Sequence, residues 1–247
     1  AVVVRLDAES DNVGSALTWF EANESPEAFA ELVCDLAPYW DQGGHARVAI
    51  DWLTRALAAG PDRDSAVRAL LLAHRAEARQ AAGDFEGLFA DVDASLAMGE
   101  RVGDDRAIGR ALWTKASAVS FFDLAEFRTV ADLAIERATL AGDRYAAADM
   151  RSWKGGVLAF RGLVDEAIAA LDDAEPHVLD LANRSVLASY RTFRAWTLAF
   201  AGNVVEARHL VDAAETAYGT GPLTSTFVAL QLQISQLTAL GTGEYFK

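Results

Sequence analysis

Two stretches of the sequence, RSWKGGVLAFRG at residues 151–162 and RTFRAWTLAFAG at residues 191–202, match each other across a spacing of about 40 residues. Both are rich in helix-forming residues and both end on glycine. Each is followed by a Glu-Ala pair, at residues 166–167 and 206–207. Chance alone does not produce a match of this length in a chain of 247 residues, so it indicates an internal repeat.

The same pattern runs through most of the chain. Helix-like stretches are separated by turns at Gly44, Gly83, Gly162 and Gly202, with Ala125 standing where a fifth turn glycine would fall. A small side chain stands seven residues before each turn, at Ala37, Ala76, Ala118, Gly155 and Ala195. Apolar residues recur five and nine positions after each turn, which for the third unit are Val130 and Ala134. These spacings place one apolar face on each helix, so each unit is predicted to be a helix hairpin.

The fold class predicted from this repeat is all-α. We expect five helix hairpins, preceded by a helix from about Asp11 to Phe20, stacked as a right-handed superhelix (an α-α solenoid) without any β-sheet. Residues 1–27 are expected to form a junction that caps the solenoid, and residues 28–247 to form the repeats. The small residue before each turn is expected to be buried where two helices cross.

The two ends of the sequence indicate an excerpt from a longer protein. The chain begins without methionine and stops at Tyr245–Lys247, shortly after a turn sequence at Gly241. We therefore expect the last repeat to be truncated, with no second helix to cover the apolar face of residues 227–240. That face would be exposed, swapped or packed against another copy, and a longer chain would melt at a higher temperature.

Short motifs in the units resemble a known repeat family. A small residue is followed by a turn of the Gly-Asp-Phe kind, at residues 83–85, with Ala-Glu-Phe at residues 125–127 as its counterpart. Terminal pairs of the Ala-Leu kind follow, at residues 56–57 and 95–96. Over about residues 28–245 the chain resembles tetratricopeptide repeats, although units near 40 residues are longer than the ~34 of the standard repeat. The resemblance implies a protein-interaction fold.

The opening segment resembles a narrower family. Residues 6–19, the Tyr39-Trp40 pair and residues 52–57 are similar to the junction and first repeats of large bacterial signal-transduction ATPases, which include maltose-activator-like and LuxR-type transcriptional regulators. The third unit departs from the pattern, because it lacks the turn glycine and carries Arg137 where the others have Ala or Ser. In that family an ATPase and a winged helix precede the repeats, and a terminal helix-turn-helix binds DNA.

Composition and motifs exclude several classes of protein. Hydrophobic residues make up 52% of the chain, so it folds, and a formal charge of −14 repels nucleic acid as a direct partner. No phosphate-binding Gly-x-x-x-x-Gly-Lys-Ser/Thr loop is present, and no cofactor is expected in this chain. Cys34 is the single cysteine, no Cys/His group has zinc spacing, and no apolar run approaches the ~20 residues of a membrane span. A cytoplasmic location away from membranes is the expectation.

Catalysis has little support in the sequence. The four histidines, at positions 45, 74, 177 and 209, lie in different units or near turns, and none has a nucleophile and an acid at triad spacing. The paired carboxylates at residues 104–105 and 172–173 are interpreted as helix caps or solvated faces. We therefore predict no enzyme activity, with a substrate cleft in the superhelix as a remote alternative.

Binding has better support, on the first helix of each hairpin. Positions nine and six residues before the turn hold His74 and Glu77, Ala116 and Val119, Trp153 and Gly156, and Phe193 and Trp196. Aromatic and cationic residues gather in the fourth and fifth units. The candidate binding residues are Lys115, Arg151, Trp153, Lys154, Arg191, Phe193, Arg194 and Trp196. Such a surface favours an acidic peptide, an anionic small effector or the ATPase domain of the same parent chain.

A second interpretation of these residues stays open. The aromatic rings would pack between hairpins, and the basic residues would pair with carboxylates of the second helices. The two interpretations separate in the double variant Lys154→Glu and Arg194→Glu. If the surface binds a ligand, the variant is expected to weaken binding by ~1–3 kcal/mol without loss of helicity.

Two functional hypotheses remain beside the enzyme alternative. The first is a non-catalytic repeat domain that senses a peptide, protein or small effector within a larger ATP-dependent transcriptional regulator. The second is a stand-alone adaptor that docks a peptide or partner protein. A phosphate-binding loop upstream in the parent sequence is required only by the first.

Overall fold

The computed structural model describes residues 2–60 and 63–218, and every regular element in those ranges is an α-helix. The prediction of an all-α fold is confirmed for these residues. The helices are α1 (Val2–Ala8), α2 (Ser10–Asn23), α3 (Pro26–Gly43), α4 (Ala46–Ala59), α5 (Ala66–Ala82), α6 (Phe85–Val102), α7 (Asp105–Val119), α8 (Leu124–Leu140), α9 (Arg144–Phe160), α10 (Val164–Leu181), α11 (Arg184–Phe200) and α12 (Val204–Tyr218). The helix expected from Asp11 to Phe20 is α2, with one further residue before that range and three after it.

Neighbouring helices pack as hairpins. The five pairs among the described residues are α3 with α4, α5 with α6, α7 with α8, α9 with α10 and α11 with α12. The chain divides into two compact units, Ala1–Gly142 and Asp143–Lys247. Within the first unit the first helices α3, α5 and α7 pack in succession, and within the second unit α9 packs against α11. Each unit therefore brings the first helices of successive hairpins together.

Hydrogen bonds and an ion pair join the two N-terminal helices to the first hairpin. Tyr39 Oη donates a hydrogen bond to Asp7 Oδ1 over 3.1 Å, and His45 Nε2 lies 2.9 Å from the same oxygen. Arg55 pairs with Glu21 of α2. Buried apolar side chains of α2, α3 and α4, among them Leu17, belong to the same core cluster, so α2 closes the N-terminal side of the first hairpin.

The turn glycines lie at hairpin tips, as predicted. The φ angles of Gly44, Gly83, Gly162 and Gly202 are 72°, 80°, 77° and 84°, a left-handed conformation that glycine adopts without strain. At the second tip, Gly83 N–H donates to the carbonyl of Gln80 over 3.0 Å and Asp84 N–H donates to that of Arg79 over 2.9 Å. Asp84 Oδ1 then accepts from Gly87 N–H at 2.9 Å and caps α6. The pair Gly83-Asp84 thus ends α5 and begins α6.

The third turn was placed wrongly by the sequence pattern. Ala125 lies inside α8, and the turn comprises residues 120–123. Without a glycine the chain closes through Phe122 N–H and Asp123 N–H, which both donate to the carbonyl of Val119, at 3.0 and 2.8 Å. Asp123 caps α8 through Glu126 N–H at 2.9 Å, so it corresponds to Asp84. Phe122 therefore stands where the other hairpins have glycine.

With the turn at residues 120–123, the positions of the third unit are counted from Phe122, three residues before Ala125. Five and nine positions after Phe122 stand Phe127 and Ala131, and both are fully buried. Val130 and Ala134, which the sequence pattern assigned to these positions, are buried as well, because α8 is an amphipathic helix with a broad apolar face. Burial at the fifth and ninth positions after the turn therefore does not distinguish the two registers.

Small residues lie where helices approach closely, as expected. Ala37, Ala76 and Ala195 are buried on first helices. A Cβ atom at Gly155 would lie 2.6 Å from Leu171 Cγ and 3.4 Å from the carbonyl oxygen of Ala167, so the backbones of α9 and α10 are in near contact there. The predicted burial is confirmed at Ala37, Ala76 and Ala195, and the predicted close crossing of two helices is confirmed at Gly155.

The described residues bear on the expectation about membranes but not on the expectation about the last repeat. No helix within residues 2–60 and 63–218 is long and apolar enough to cross a membrane. The apolar face predicted for residues 227–240, together with the truncated repeat that contains it, lies outside the described residues.

Candidate functional site

The predicted arginines of the second unit are bonded to the second helices. Arg151 on α9 places its Nε 3.5 Å from Asp173 Oδ2, and Arg194 on α11 pairs with Asp172. Arg191 donates from Nη1 to the backbone carbonyl of Ala213 on α12 over 3.2 Å. Lys154 is half-buried on α9. The ion pairs of Arg151 and Arg194 agree with the second interpretation of the basic residues, whereas Arg191 binds a backbone carbonyl and not a carboxylate.

The predicted aromatic residues of the second unit form part of its core. Phe193 is buried and its ring fills the space that a side chain at Gly156 would occupy. Trp153 is half-buried and packs on the cluster that contains Phe193. Trp196 is 5% exposed and its ring centroid lies 5.5 Å from those of Phe160 and Phe200.

Two exposed rings of the second unit lie at hairpin tips. Phe160 and Phe200 are 61% and 48% exposed, and the centroid of each ring is 5.5 Å from that of Trp196. The part of this cluster that solvent reaches is therefore apolar, whereas the predicted cations lie in ion pairs and hydrogen bonds on the helix flanks.

Lys115 belongs to the other unit. It lies on α7, and its Nζ is 2.8 Å from Glu126 Oε1 at the start of α8. The structure therefore brings seven of the eight predicted residues into the second unit and places the eighth in the first.

The corrected third turn exposes a signal that the sequence pattern missed. Nine residues before Phe122 stands Trp113, in the position that His74, Trp153 and Phe193 take in their own hairpins. Four successive first helices thus carry a ring at the same position. With the turn set at Ala125, that position was assigned to Ala116 and Trp113 was overlooked.

Trp113 lines a cavity on the first helices of the first unit. The cavity has a volume of about 280 Å³ and is open to solvent. Its lining residues come from α3, α5 and α7 and are Asp41, Glu77, Gln80, Ala81, Trp113, Thr114 and Ser117. Carboxylates, an amide, hydroxyls and an indole ring line this cavity, and several polar groups together in one cavity make it the candidate site.

Polar contacts fix the two central side chains of this cavity. Arg110 Nη1 lies 2.9 Å from Glu77 Oε2, and His74 Nδ1 lies 3.5 Å from the same oxygen. Gln80 Nε2 donates a hydrogen bond to Ser117 Oγ over 2.8 Å. The carboxylate and the amide are therefore held in place before any ligand arrives.

Burial and charge set the protonation of this network. Burial and the nearby Arg110 guanidinium lower the pKa of His74 to about 4, so the ring is neutral at pH 7. Burial raises the pKa of Glu77, but the Arg110 guanidinium and the contact with His74 lower it by more, so the net effect holds this pKa below its usual range. The cavity therefore presents a carboxylate at neutral pH.

His74 predicts a dependence of stability on acid. The unfolded chain binds a proton at this ring near pH 6.5, whereas the folded chain binds one only near pH 4. Protonation therefore favours the unfolded state, so the free energy of unfolding is greatest above pH 6.5 and falls as the pH is lowered from 6.5 to 4. The loss should reach about 3 kcal/mol in the free energy of unfolding. Urea unfolding at pH values on either side of this window measures it, and His74→Gln should flatten the dependence. Equal pH dependence in the two proteins would contradict the assignment.

The described residues show no constellation for metal chemistry. No group of three or more His, Cys, Asp or Glu residues among them could hold a metal ion. His74, the one imidazole of the cavity network, is 4% exposed. The lining of the cavity offers carboxylate, amide and hydroxyl groups beside an aromatic ring.

Comparison with known proteins does not place the chain in a family. No protein-family model matches the sequence, and no curated protein gives a significant match.

Proposed function

We propose that the chain is a non-catalytic binding domain whose first helices receive a protein segment or a small effector. In this proposal the hairpins continue as the right-handed superhelix of tetratricopeptide-like repeats, and the domain is the sensing part of a larger ATP-dependent transcriptional regulator. The observation that carries the proposal is the cavity formed by α3, α5 and α7, because three successive hairpins contribute to one recognition surface.

The packing of the hairpins supports this role. First helices contact first helices within each unit, so in each unit their remaining faces form one surface to which the hairpins of that unit contribute. Repeated surfaces of this kind suit extended ligands, since each hairpin offers one or two side chains. The fixed acceptors of the cavity further reduce the entropy that binding must overcome.

A thermal-shift screen tests the proposal. The chain is heated with short acidic, basic and neutral peptides and with a panel of nucleotides, sugars and amino acids. A ligand that binds only the folded chain raises the melting temperature, and mass spectrometry of the recovered ligand reports any conversion. A stabilising ligand recovered unchanged is the expected result. A converted ligand would favour the enzyme alternative, and the absence of any stabilising ligand would contradict the binding role.

A further inference from the structure

The two matching hairpins of the second unit share one residue that the fold does not account for. Residues 158–162 and 198–202 both have the sequence Leu-Ala-Phe-x-Gly. The two leucines are buried, and the two glycines have the left-handed backbone of a hairpin tip. Phe160 and Phe200, by contrast, leave 61% and 48% of their surface to solvent. Neither the core nor the turn explains a large exposed ring at the same position of both hairpins, so the ring indicates a contact outside the hairpin.

The two phenylalanines belong to one aromatic cluster. The centroid of each ring lies 5.5 Å from that of Trp196, with interplanar angles of 55° for Phe160 and 42° for Phe200. Trp196 is 5% exposed, so the phenylalanine rings form the outer part of the cluster. All three residues belong to the first helices α9 and α11. We call these three residues the tip surface, and clustered exposed rings of this kind are typical of an interaction site.

The sequence around the tip surface is acidic. The last turn of each first helix, the tip and the first turn of the next helix comprise residues 157–166 and 197–206. These two segments contain three carboxylates and one basic residue, which are Asp165, Glu166, Glu206 and Arg161. The count covers every charged side chain of both segments, whatever its partners within the chain, so their net charge is negative. A negative surface favours a partner with positive charge.

The contacts of the rings favour a helix as the partner. Every regular element in residues 2–60 and 63–218 is a helix, so these ranges offer no sheet edge to which a peptide could add a strand. The rings of the tip surface contact one another, which leaves no slot between them for a proline. A helix with apolar residues three and four positions apart presents one apolar face that covers both exposed rings, and basic residues can flank that face.

Charge and exposure argue against other occupants of the tip surface. Two copies of the chain that met through this surface would bring like charges together, which is unfavourable. A membrane with anionic lipids would repel a chain of charge −14. A small molecule on rings that are about half exposed would keep much of its own surface in water, whereas binding sites for small molecules enclose most of the ligand.

We propose that the tip surface docks an amphipathic helix of a partner polypeptide, with apolar side chains on the phenylalanine rings and basic side chains toward the carboxylates. The inference goes beyond the proposed function, because it assigns a second docking surface and does not use the cavity on α3, α5 and α7. It also differs from the acidic or anionic ligand that the sequence predicted for this unit, since Arg151 and Arg194 pair with carboxylates of α10.

Fluorescence anisotropy with labelled helical peptides tests this inference. The probe is a peptide of leucine and lysine, about five helical turns long, in which the leucines share one face. A scrambled peptide of the same composition lacks that face, and a version with glutamate in place of lysine reverses the charge. At ~0.15 M salt, which limits long-range attraction, the patterned lysine peptide is expected to bind about tenfold more tightly than either of the others.

Variants locate the binding at the tip surface. Phe160→Gln combined with Phe200→Gln should weaken the patterned lysine peptide about tenfold or more, and Asp165→Asn, at an exposed position, about threefold. Leu179→Gln is the matched control for the rings, because this leucine is 57% exposed at the other end of α10 and its loss should change the affinity less than about twofold. Asp93→Asn on α6 is the corresponding control for the carboxylate. Melting curves confirm that each variant folds, and Phe160→Gln alone carries the test if the double variant does not.

Several outcomes would overturn the inference. Equal affinity for the scrambled peptide, or equal weakening by Leu179→Gln, would show that the tip surface does not dock the helix, and tighter binding of the glutamate peptide would contradict the assigned charge. A dimer in sedimentation that the double phenylalanine variant converts to a monomer would show that a second copy occupies the surface. Co-sedimentation with phosphatidylcholine vesicles that the same variant abolishes would show a membrane surface instead. Each of these results leaves the proposed function to the cavity of the first unit, which the thermal-shift screen tests separately.

Discussion

Replacement of Asp91 by alanine is expected to lower the free energy of unfolding by about 3–5 kcal/mol, the cost of removing one partner from a buried ion pair. The Asp91 side chain is 5% exposed on α6 and binds Arg75 through both oxygens, with Oδ1 at 2.6 Å from Nη2 and Oδ2 at 2.8 Å from Nε. Arg79 Nη1 lies 3.0 Å from Oδ2. The variant removes the carboxylate that binds Arg75 and the nearer of two carboxylates beside Arg79, whose Nε also lies 3.5 Å from Asp84 Oδ2.

Urea unfolding at neutral pH measures this loss. The matched control is Asp93→Ala on the same helix, which removes an exposed carboxylate and should change stability by less than about 0.5 kcal/mol. A loss of less than about 1 kcal/mol in Asp91→Ala would contradict the account of this hairpin, in which one second-helix carboxylate holds two first-helix arginines.

Replacement of Phe127 by alanine is expected to cost about 3–5 kcal/mol, since it empties a fully buried position of α8. The control is Phe122→Ala in the turn before α8, where the ring is 64% exposed and the expected change is within about 0.5 kcal/mol. Two phenylalanines of one hairpin are thus expected to differ in their contribution to stability, because one is buried and the other is exposed.

The pair also tests the register of the third unit. Under the sequence pattern, Phe127 corresponds to Phe85, which is 46% exposed at the second hairpin tip, and its removal would be mild. Thermal melting of both variants decides between the registers. A larger loss in Phe122→Ala than in Phe127→Ala would contradict the turn at residues 120–123.

The hairpin pattern could be predicted because its signals are local. Glycine at a tip such as Gly83 and the small residue before it reflect backbone conformation and helix contact, which hold wherever a hairpin forms. The third turn was predicted at the wrong residues because no glycine marks it. Matching on a phenylalanine aligned residues 125–127 with residues 83–85, whereas the helix caps Asp84 and Asp123 give the alignment seen in the structure.

The candidate site was harder to predict because it depends on partners distant in sequence. Arg151 and Arg194 are basic residues on first helices, but their charge is directed to α10, about 20 residues away, and a helical pattern does not show which carboxylate a flexible side chain reaches. The cavity of the first unit combines Asp41, Glu77 and Trp113 from three helices. Its most informative residue, Trp113, became visible only with the corrected third turn.

Hydrogen–deuterium exchange with a bound peptide tests the central claim that the first helices carry the binding surface. The chain is labelled for short times with and without whichever probe peptide binds, and peptide fragments report protection along the sequence. We predict slower exchange in first helices when the peptide is bound, and no change in α4, α6, α8, α10 and α12. Protection centred on those second helices, with the first helices unchanged, would contradict the account.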